Sequence, residues 1–361
     1  MNRVVIIGNG YDLSLGLKSS YKSFLMWYLH LKVIPGIRYM PKPYDDNLIR
    51  LTDNNGPFPK EEFDQTDLKN CLKQILEVDT KHSRSSVSPL LDKCINNGQE
   101  NWVDIEQTYY DLLCNYSVKK VKTDQDVDMV NVKNLNRSLK QIRIFLIEYL
   151  IQIQKEIDSS IFPIKWQKLK APFETSEVRS KRLEKIETTK LENLLILNFN
   201  YTSTLTPLML LFKKQRIEAE LINIHGNIEK PDGPIIFGYG DETIQSYLEL
   251  ENLNINECLK NIKSFKYLES QNYQRLMNFI DIKHFDVLVV GHSCGISDRV
   301  LLKSIFEHSH CIFIKPFIYQ KMDGTSDYFD KIAAISRHFE LNQEMRDKVA
   351  QKKYCPDFIK K

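Results

Sequence analysis

Four clusters of polar and glycine residues stand where short apolar runs end, and their residue types suit nucleotide chemistry. Gly8-Asn9-Gly10-Tyr11-Asp12 follows the run 4–7 and precedes Gly16-Leu17 and an apolar helix pattern near 19–29. Glycines at a strand-to-helix turn let a backbone approach a pyrophosphate, whose charge is favoured at the helix N-terminus. Leu13 stands where the third glycine of G-x-G-x-x-G would be. Asn198-Phe199-Asn200-Tyr201-Thr202 closes the run 194–197, and Asn200 offers an acceptor and donors for a ribose hydroxyl or a water. His225-Gly226-Asn227 closes the run 221–224. Histidine exchanges protons near neutral pH, and Gly226 would leave room beside it for a ligand. Taken singly, each cluster also reads as strand-end turn chemistry or a structural histidine.

The fourth cluster, Gly291-His292-Ser293-Cys294-Gly295-Ile296-Ser297-Asp298, follows the most apolar run, 287–290, and precedes a helical pattern over 300–306. As a dinucleotide loop it would set Ser293 against phosphate or ribose, while Asp298 would hold a hydroxyl or cap the helix. As a literal G-x-S-x-G it would be the nucleophile elbow of a serine hydrolase. Ser293 would then need an acid and a histidine from Asp327, Asp330 and His338, or from His308 and His310. His308-Ser309-His310-Cys311 has no second ligand group at useful spacing, so no metal site is expected. Glu106, in the first turn of an amphipathic helix that opens at Trp102, either faces a cleft or answers the helix dipole.

The apolar runs that must position these clusters are short, continuous and β-branched, as expected of strands buried on both faces of a sheet. Further runs at 235–237, before Gly238-Tyr239-Gly240-Asp241, and at 311–314 read the same way, the first leading into a flexible loop. Several lead into helical patterns, which predicts βα units and a mostly parallel Rossmann-like sheet in an α/β fold. Between about 60 and 157 the periodicity is helical, most clearly at Val132, Leu135, Leu139, Ile142, Leu146, Tyr149, Leu150, Ile153 and Ile157. Residues 34–60, with five prolines, read as an extended loop, and the charged stretch 165–190 as a solvated connection. The predicted organisation is a core from 1–30 and 190–320, an inserted helical subdomain over 31–189 and a C-terminal helical extension over 321–361.

Composition excludes more than it identifies. The 361 residues carry 50 basic and 47 acidic side chains, so the net charge of +3 argues for neither nucleic acid nor an anionic membrane as partner. Seven scattered cysteines without a C-x-x-C pair suit reduced thiols better than a disulfide framework. No apolar stretch nears the roughly 20 residues that cross a bilayer, and the opening segment is too short for a signal peptide. The expected compartment is the cytoplasm.

In chain order the motifs resemble those of sirtuin-like proteins. G-A-G-x-S followed by G-I is similar to Gly8, Gly10, Gly16 and Leu17, with Asp12 at the serine position; T-N-Y-D is similar to Thr202 and the three residues before it. H-G is similar to His225-Gly226, and the late G-x-S to Gly291-His292-Ser293. The closer resemblance is to the AbiH family of phage abortive-infection proteins. It rests on I-I-G-N-G-Y-D-L, the tryptophan–glutamate helix, N-F-N-Y-T-S-T-L, I-H-G-N and G-H-S-x-G-x-x-D, spread from residue 5 to 298. Residues 31–100 carry no diagnostic motif.

The resemblance implies a sirtuin-like protein that binds NAD as substrate and hydrolyses it to nicotinamide and ADP-ribose. It places the catalytic pair on Asn200 and His225. The nucleotide would lie on Gly8, Asn9, Gly10, Asp12, Gly226, Gly291, Ser293 and Asp298, with the pyrophosphate over 8–10 and the adenosine end near Ser293 and Asp298. Two departures stand out. Thr202 replaces the aspartate of T-N-Y-D, and between Gly226 and Gly291 only Cys258 is present where deacylating sirtuins have a four-cysteine zinc module. The rival readings are a non-catalytic sensor of NAD or ADP-ribose and the Ser293 hydrolase. A phage-derived trigger and a homo-oligomer are further partners that the resemblance leaves open.

Overall fold

The computed structural model describes every residue except 40–43, 52–62, 78–84, 97–101, 124, 157–166, 172–190, 230–232, 322 and 359–361. Five strands form the central sheet: β1 (Asn2–Ile7), β2 (Leu194–Asn198), β3 (Ala219–Asn223), β4 (Phe285–Val290) and β5 (Cys311–Pro316). All neighbours pair in parallel, in the order β3-β2-β1-β4-β5. This is a Rossmann-like α/β sheet, in which the order reverses between β1 and β4, and sheets of this kind bind ligands at the carboxyl ends of the strands beside such a reversal.

The continuous apolar runs follow from burial on both faces. Side chains alternate across a strand, and here each face has its own core. Val4, Ile6, Leu195, Leu197, Val287 and Val289 pack with Leu276 and Ile280 of the helix Asn272–Ile282 and with Leu302, Ile305 and Phe306 of Arg299–Phe306. Val5, Ile7, Leu194, Ile196, Leu288 and Val290 pack with Leu208 and Phe212 of the helix Thr206–Lys214.

Two central strands begin earlier than their apolar runs because they start with a buried ion pair. The register sets Arg3 beside Asp286, and the guanidinium grips that carboxylate through Nε at 2.8 Å and Nη2 at 2.6 Å. Its Nη1 donates to the carbonyls of Leu169 and Ala171, both at 2.7 Å, which pins the short helix Gln167–Lys170. A fork that satisfies four acceptors is what makes such a charge tolerable inside a core.

The chain forms two compact units. One comprises Met1–Leu17, Ile153–Ile236 and Lys263–Lys361; it holds the sheet and, near the C-terminus, the helices Tyr328–Ser336 and Asn342–Lys348. The other comprises Lys18–Gln152 and Phe237–Ile262. Its longest helix is Met129–Gln154, and the periodic residues Val132, Leu135, Leu139, Ile142, Leu146, Tyr149 and Leu150 are all buried. Ile157 lies outside the described residues, as does most of the stretch expected to be a charged connection.

Two expectations need correction. Part of 34–60 is ordered structure: Ile34–Tyr39 is helical, and Tyr44–Asp45, Ile49–Leu51 and Ser86–Val87 make a small antiparallel sheet. Pro35 has no N–H for an α-helical ladder, and the π-helical turn Leu29–Val33 sits immediately before it. Asn47 takes a left-handed conformation at the hairpin turn, and Asp46 Oδ1 accepts the amides of Leu48 and Ile49. The run 235–237 forms no strand. Residues 237–241 are buried rather than a free loop: Tyr239 stacks on Tyr110 at 3.9 Å and bridges to Ile262. Gly238 leaves no space for a side chain, because a Cβ there would lie 2.0 Å from the Asn261 carbonyl. Its amide donates to the buried carboxylate of Glu106 at 3.2 Å, so Glu106 anchors this segment.

No helix among the described residues is long and apolar enough to cross a membrane.

Candidate active site

Parallel strands end on the same side, so the loops after β1, β2, β3 and β4 meet along one edge of the sheet. The loops after β1 and β4 touch. Gly10 N–H donates to the Gly291 carbonyl at 2.8 Å, and a Cβ on Gly10 would meet the Gly291 backbone at 2.8 Å. A Cβ on Gly8 would lie 2.4 Å from His292 Cα. Gly291 itself has φ +66° and closes on Tyr11 N. The glycine pattern is therefore required by the approach of two backbones, whatever else binds there. Of the first helical turn after β1, the Gly10 and Tyr11 amides are spent inside the protein, Tyr11 N–H on the Gly8 carbonyl at 2.9 Å.

Asn200 is buried, and its Nδ2 donates to the Gly8 carbonyl at 3.1 Å and to the Asp12 carboxylate. Its Oδ1 is available to accept. Asp12 is buried too, and its two oxygens accept from Thr202 Oγ1 at 2.6 Å and Thr204 Oγ1 at 2.7 Å. Burial pushes this carboxyl up to about 6 against the pull of the hydroxyls and of Asn200. Asp12 thus faces the Asn200 loop. Asp12, from the loop after β1, and Thr202, from the loop after β2, hydrogen bond to each other, so a carboxylate and a hydroxyl meet beside Asn200.

His225 sits at the end of β3, 5% exposed, with Nε2 3.2 Å from Asp298 Oδ1 and 3.3 Å from the Tyr267 hydroxyl. Asp298 Oδ1 also accepts from the buried Lys263 Nζ at 2.8 Å. Burial alone would raise the Asp298 carboxyl, but the Lys263 ammonium, and after it His225, holds it well below the usual range. Asp298 is therefore a partner of His225. It does not cap the helix that follows, as its side chain makes no capping bond. His292, pushed down to about 3 by burial, is neutral; its Nδ1 accepts Cys294 N–H at 3.0 Å, which leaves the ring proton on Nε2, 3.7 Å from Asp298 Oδ2. The Phe199 ring packs against both histidines, at 5.1 Å and 4.2 Å.

Asn227 ties the His225 and Asn200 loops together: its Oδ1 accepts from Ser203 Oγ at 3.0 Å and its Nδ2 donates to the Thr202 carbonyl at 3.3 Å. Gly226, at φ +84°, turns the chain where a Cβ would lie 2.6 Å from the Pro234 carbonyl, so the room it leaves is taken by protein. Asn9 opens the helix Asn9–Ser14 and is half-buried.

Ser293 is exposed, and among the described residues no hydrogen bond joins it to a histidine. In this loop Gly291 and Cys294, at φ +66° and +53°, are left-handed, and the serine is not. His338 Nε2 is 2.9 Å from the Cys294 carbonyl, His308 pairs with Asp281, and His310 Nδ1 is 3.2 Å from the Ile280 carbonyl, so among the described residues none of the three histidines that the elbow reading offered is bonded to Ser293. Among the described residues no group of three or more histidine, cysteine or acidic side chains is arranged to hold a metal ion.

Sequence reasoning missed Lys263 and Tyr267, and it read Thr204 as a helix cap rather than as a partner of Asp12. Lys263 lies in Lys260-Asn261-Ile262-Lys263-Ser264-Phe265-Lys266, where nothing local marks one lysine as buried.

No curated protein and no solved structure matches the chain. One family model does, over residues 4–319, a span that contains every residue of the site from Gly8 to Asp298. The chain belongs to the bacteriophage abortive infection family AbiH.

Proposed function

We propose that this AbiH protein acts in abortive infection by binding NAD and hydrolysing it to nicotinamide and ADP-ribose. Family membership supports the defence role. The observation that carries the chemistry is that a buried amide, Asn200, and a histidine backed by an ionised carboxylate, His225 with Asp298, follow the carboxyl ends of the adjacent strands β2 and β3.

In this reading the dinucleotide lies along the carboxyl ends of β1 and β4, with Ser293 and Asn9 beside it. Cleaving the bond between C1′ of the ribose and the nicotinamide nitrogen leaves positive charge on the ribose and releases neutral nicotinamide. A water adds to C1′, its proton passes to His225, and Asn200 Oδ1 accepts a hydrogen bond from that water or from a ribose hydroxyl. The protein needs no group besides its own side chains for these steps.

The test is nicotinamide release from NAD by purified protein, with Asn200→Ala and His225→Ala alongside. Each substitution is expected to lower the rate at least about 100-fold, the range of a lost acid–base or charge-stabilising group, with the fold unchanged by circular dichroism. Normal rates in both variants refute the assignment. Tight NAD binding without release by the wild type would instead identify a nucleotide sensor.

A further inference from the structure

We propose that the buried Lys263–Asp298 pair is a positioning device that keeps the ring proton of His225 on Nε2 and so leaves the lone pair on Nδ1. The inference rests on the reading above for its catalytic meaning, but its structural content stands apart from turnover.

Besides the rings of Phe199 and Tyr201 that pack on it, the groups that bear on the His225 ring are Asp298, Tyr267, His292 and, through Asp298, Lys263. An ionised carboxylate can only accept, so the imidazole nitrogen facing Asp298 must carry the proton. Tyr267 can donate or accept and imposes neither tautomer. Lys263 decides the state of Asp298: its Nζ sits 2.8 Å from the same Oδ1 and is 2% exposed. It can only donate and carries a positive charge, so it favours the ionised form of that carboxyl. His292 cannot substitute, because its own Nε2 is also a donor toward Asp298. Among the described residues His225 Nδ1 has no hydrogen-bond partner, so that nitrogen remains to take a proton from water. Asp298 thereby acts through His225 rather than on the nucleotide.

The experiment is ¹⁵N NMR of the His225 ring in the full-length protein at pH 7.5, assigned with His225→Gln. The wild type is expected to show a protonated Nε2 and an unprotonated Nδ1. In Lys263→Met/Asp298→Leu both charges are exchanged together for apolar groups, which leaves no buried charge unpaired. That variant is expected to show mixed tautomers and a kcat at least about 10-fold lower, with KM changed much less. Asp298→Asn, whose amide oxygen stays with Lys263, is expected to keep the Nε2–H pattern and serves as the second variant if the double one does not fold. A proton on Nδ1 in the wild type or in Asp298→Asn overturns the proposal, as does a double variant with unchanged ring signals. If the tautomer pattern holds while His225→Gln still releases nicotinamide at the normal rate, the hydrolase reading fails and the positioning device stands.

Discussion

Asp12 gives the sharpest quantitative test of the packing around Asn200. Its carboxyl is raised from an ordinary 3.8 to about 6, chiefly by burial, with Thr202, Thr204 and Asn200 opposing. Between those values the folded state holds a proton that the unfolded state has lost. The contribution to stability is therefore full below about pH 4 and disappears as pH rises through about 6. At 1.36 kcal/mol per tenfold difference, the gap amounts to about 3 kcal/mol, of which about 2 kcal/mol is present at pH 4.5. Asp12→Asn keeps the shape and one acceptor but cannot titrate. Other carboxyls complicate the raw pH curve, since Asp298 and Glu192 are held low and contribute in the opposite sense, losing stability as pH falls. Subtracting the variant's curve from the wild type's isolates Asp12. Urea unfolding of both proteins should show the wild type gaining about 2 kcal/mol on the variant between pH 7.5 and 4.5. A difference curve flat to within about 0.5 kcal/mol would mean that Asp12 is effectively hydrated. A slope of opposite sign would mean that the two threonine hydroxyls outweigh burial.

Asp286→Ala should lower unfolding stability by about 3–5 kcal/mol in a urea titration, because it leaves the Arg3 guanidinium buried without its carboxylate; Arg3→Met with Asp286→Leu should recover most of that loss. Gly10→Ala should cost about 1–3 kcal/mol, read as a lower melting temperature, since its Cβ has only the Gly291 backbone to displace. Ser293→Ala should release nicotinamide within about threefold of the wild-type rate and leave no less reactivity toward a fluorophosphonate probe, as the serine has no base. A loss in parallel with probe labelling of Ser293 would revive the serine hydrolase.

The hydrogen bond between Asp12 and Thr202 bears on the place where the resemblance to T-N-Y-D breaks off. Taken from the sequence, Thr202 removes the acid next to the candidate catalytic asparagine. Folded, the acid returns from the loop after β1, 2.6 Å from that threonine and hydrogen bonded to Asn200. The acid missing beside Asn200 in the sequence is supplied from a distant loop, and only distance in the fold reveals it.

The strands of the sheet and the long helix were legible in the chain because hydrophobic periodicity is a local property. A run such as Val287 to Val290 has few other uses than to be buried on both sides, and the polar residues that end such runs gather on one edge once the strands are parallel. Strand starts were less legible, since Arg3 and Asp286 read as surface charges until the register sets them side by side. Local pattern also failed at 235–237 and at 34–51, where a partner from elsewhere in the chain or a proline-tolerant turn decides the conformation. The chemistry of the site belongs to tertiary structure altogether. Lys263 and Asp298 are 35 positions apart and Asp12 and Thr204 are 192 apart, and a side chain's charge and the tautomer of its neighbour depend on what surrounds it in space. Sequence determined which side chains reach the edge of the sheet; burial and pairing across the fold determined which of them carry charge and which hold another in place.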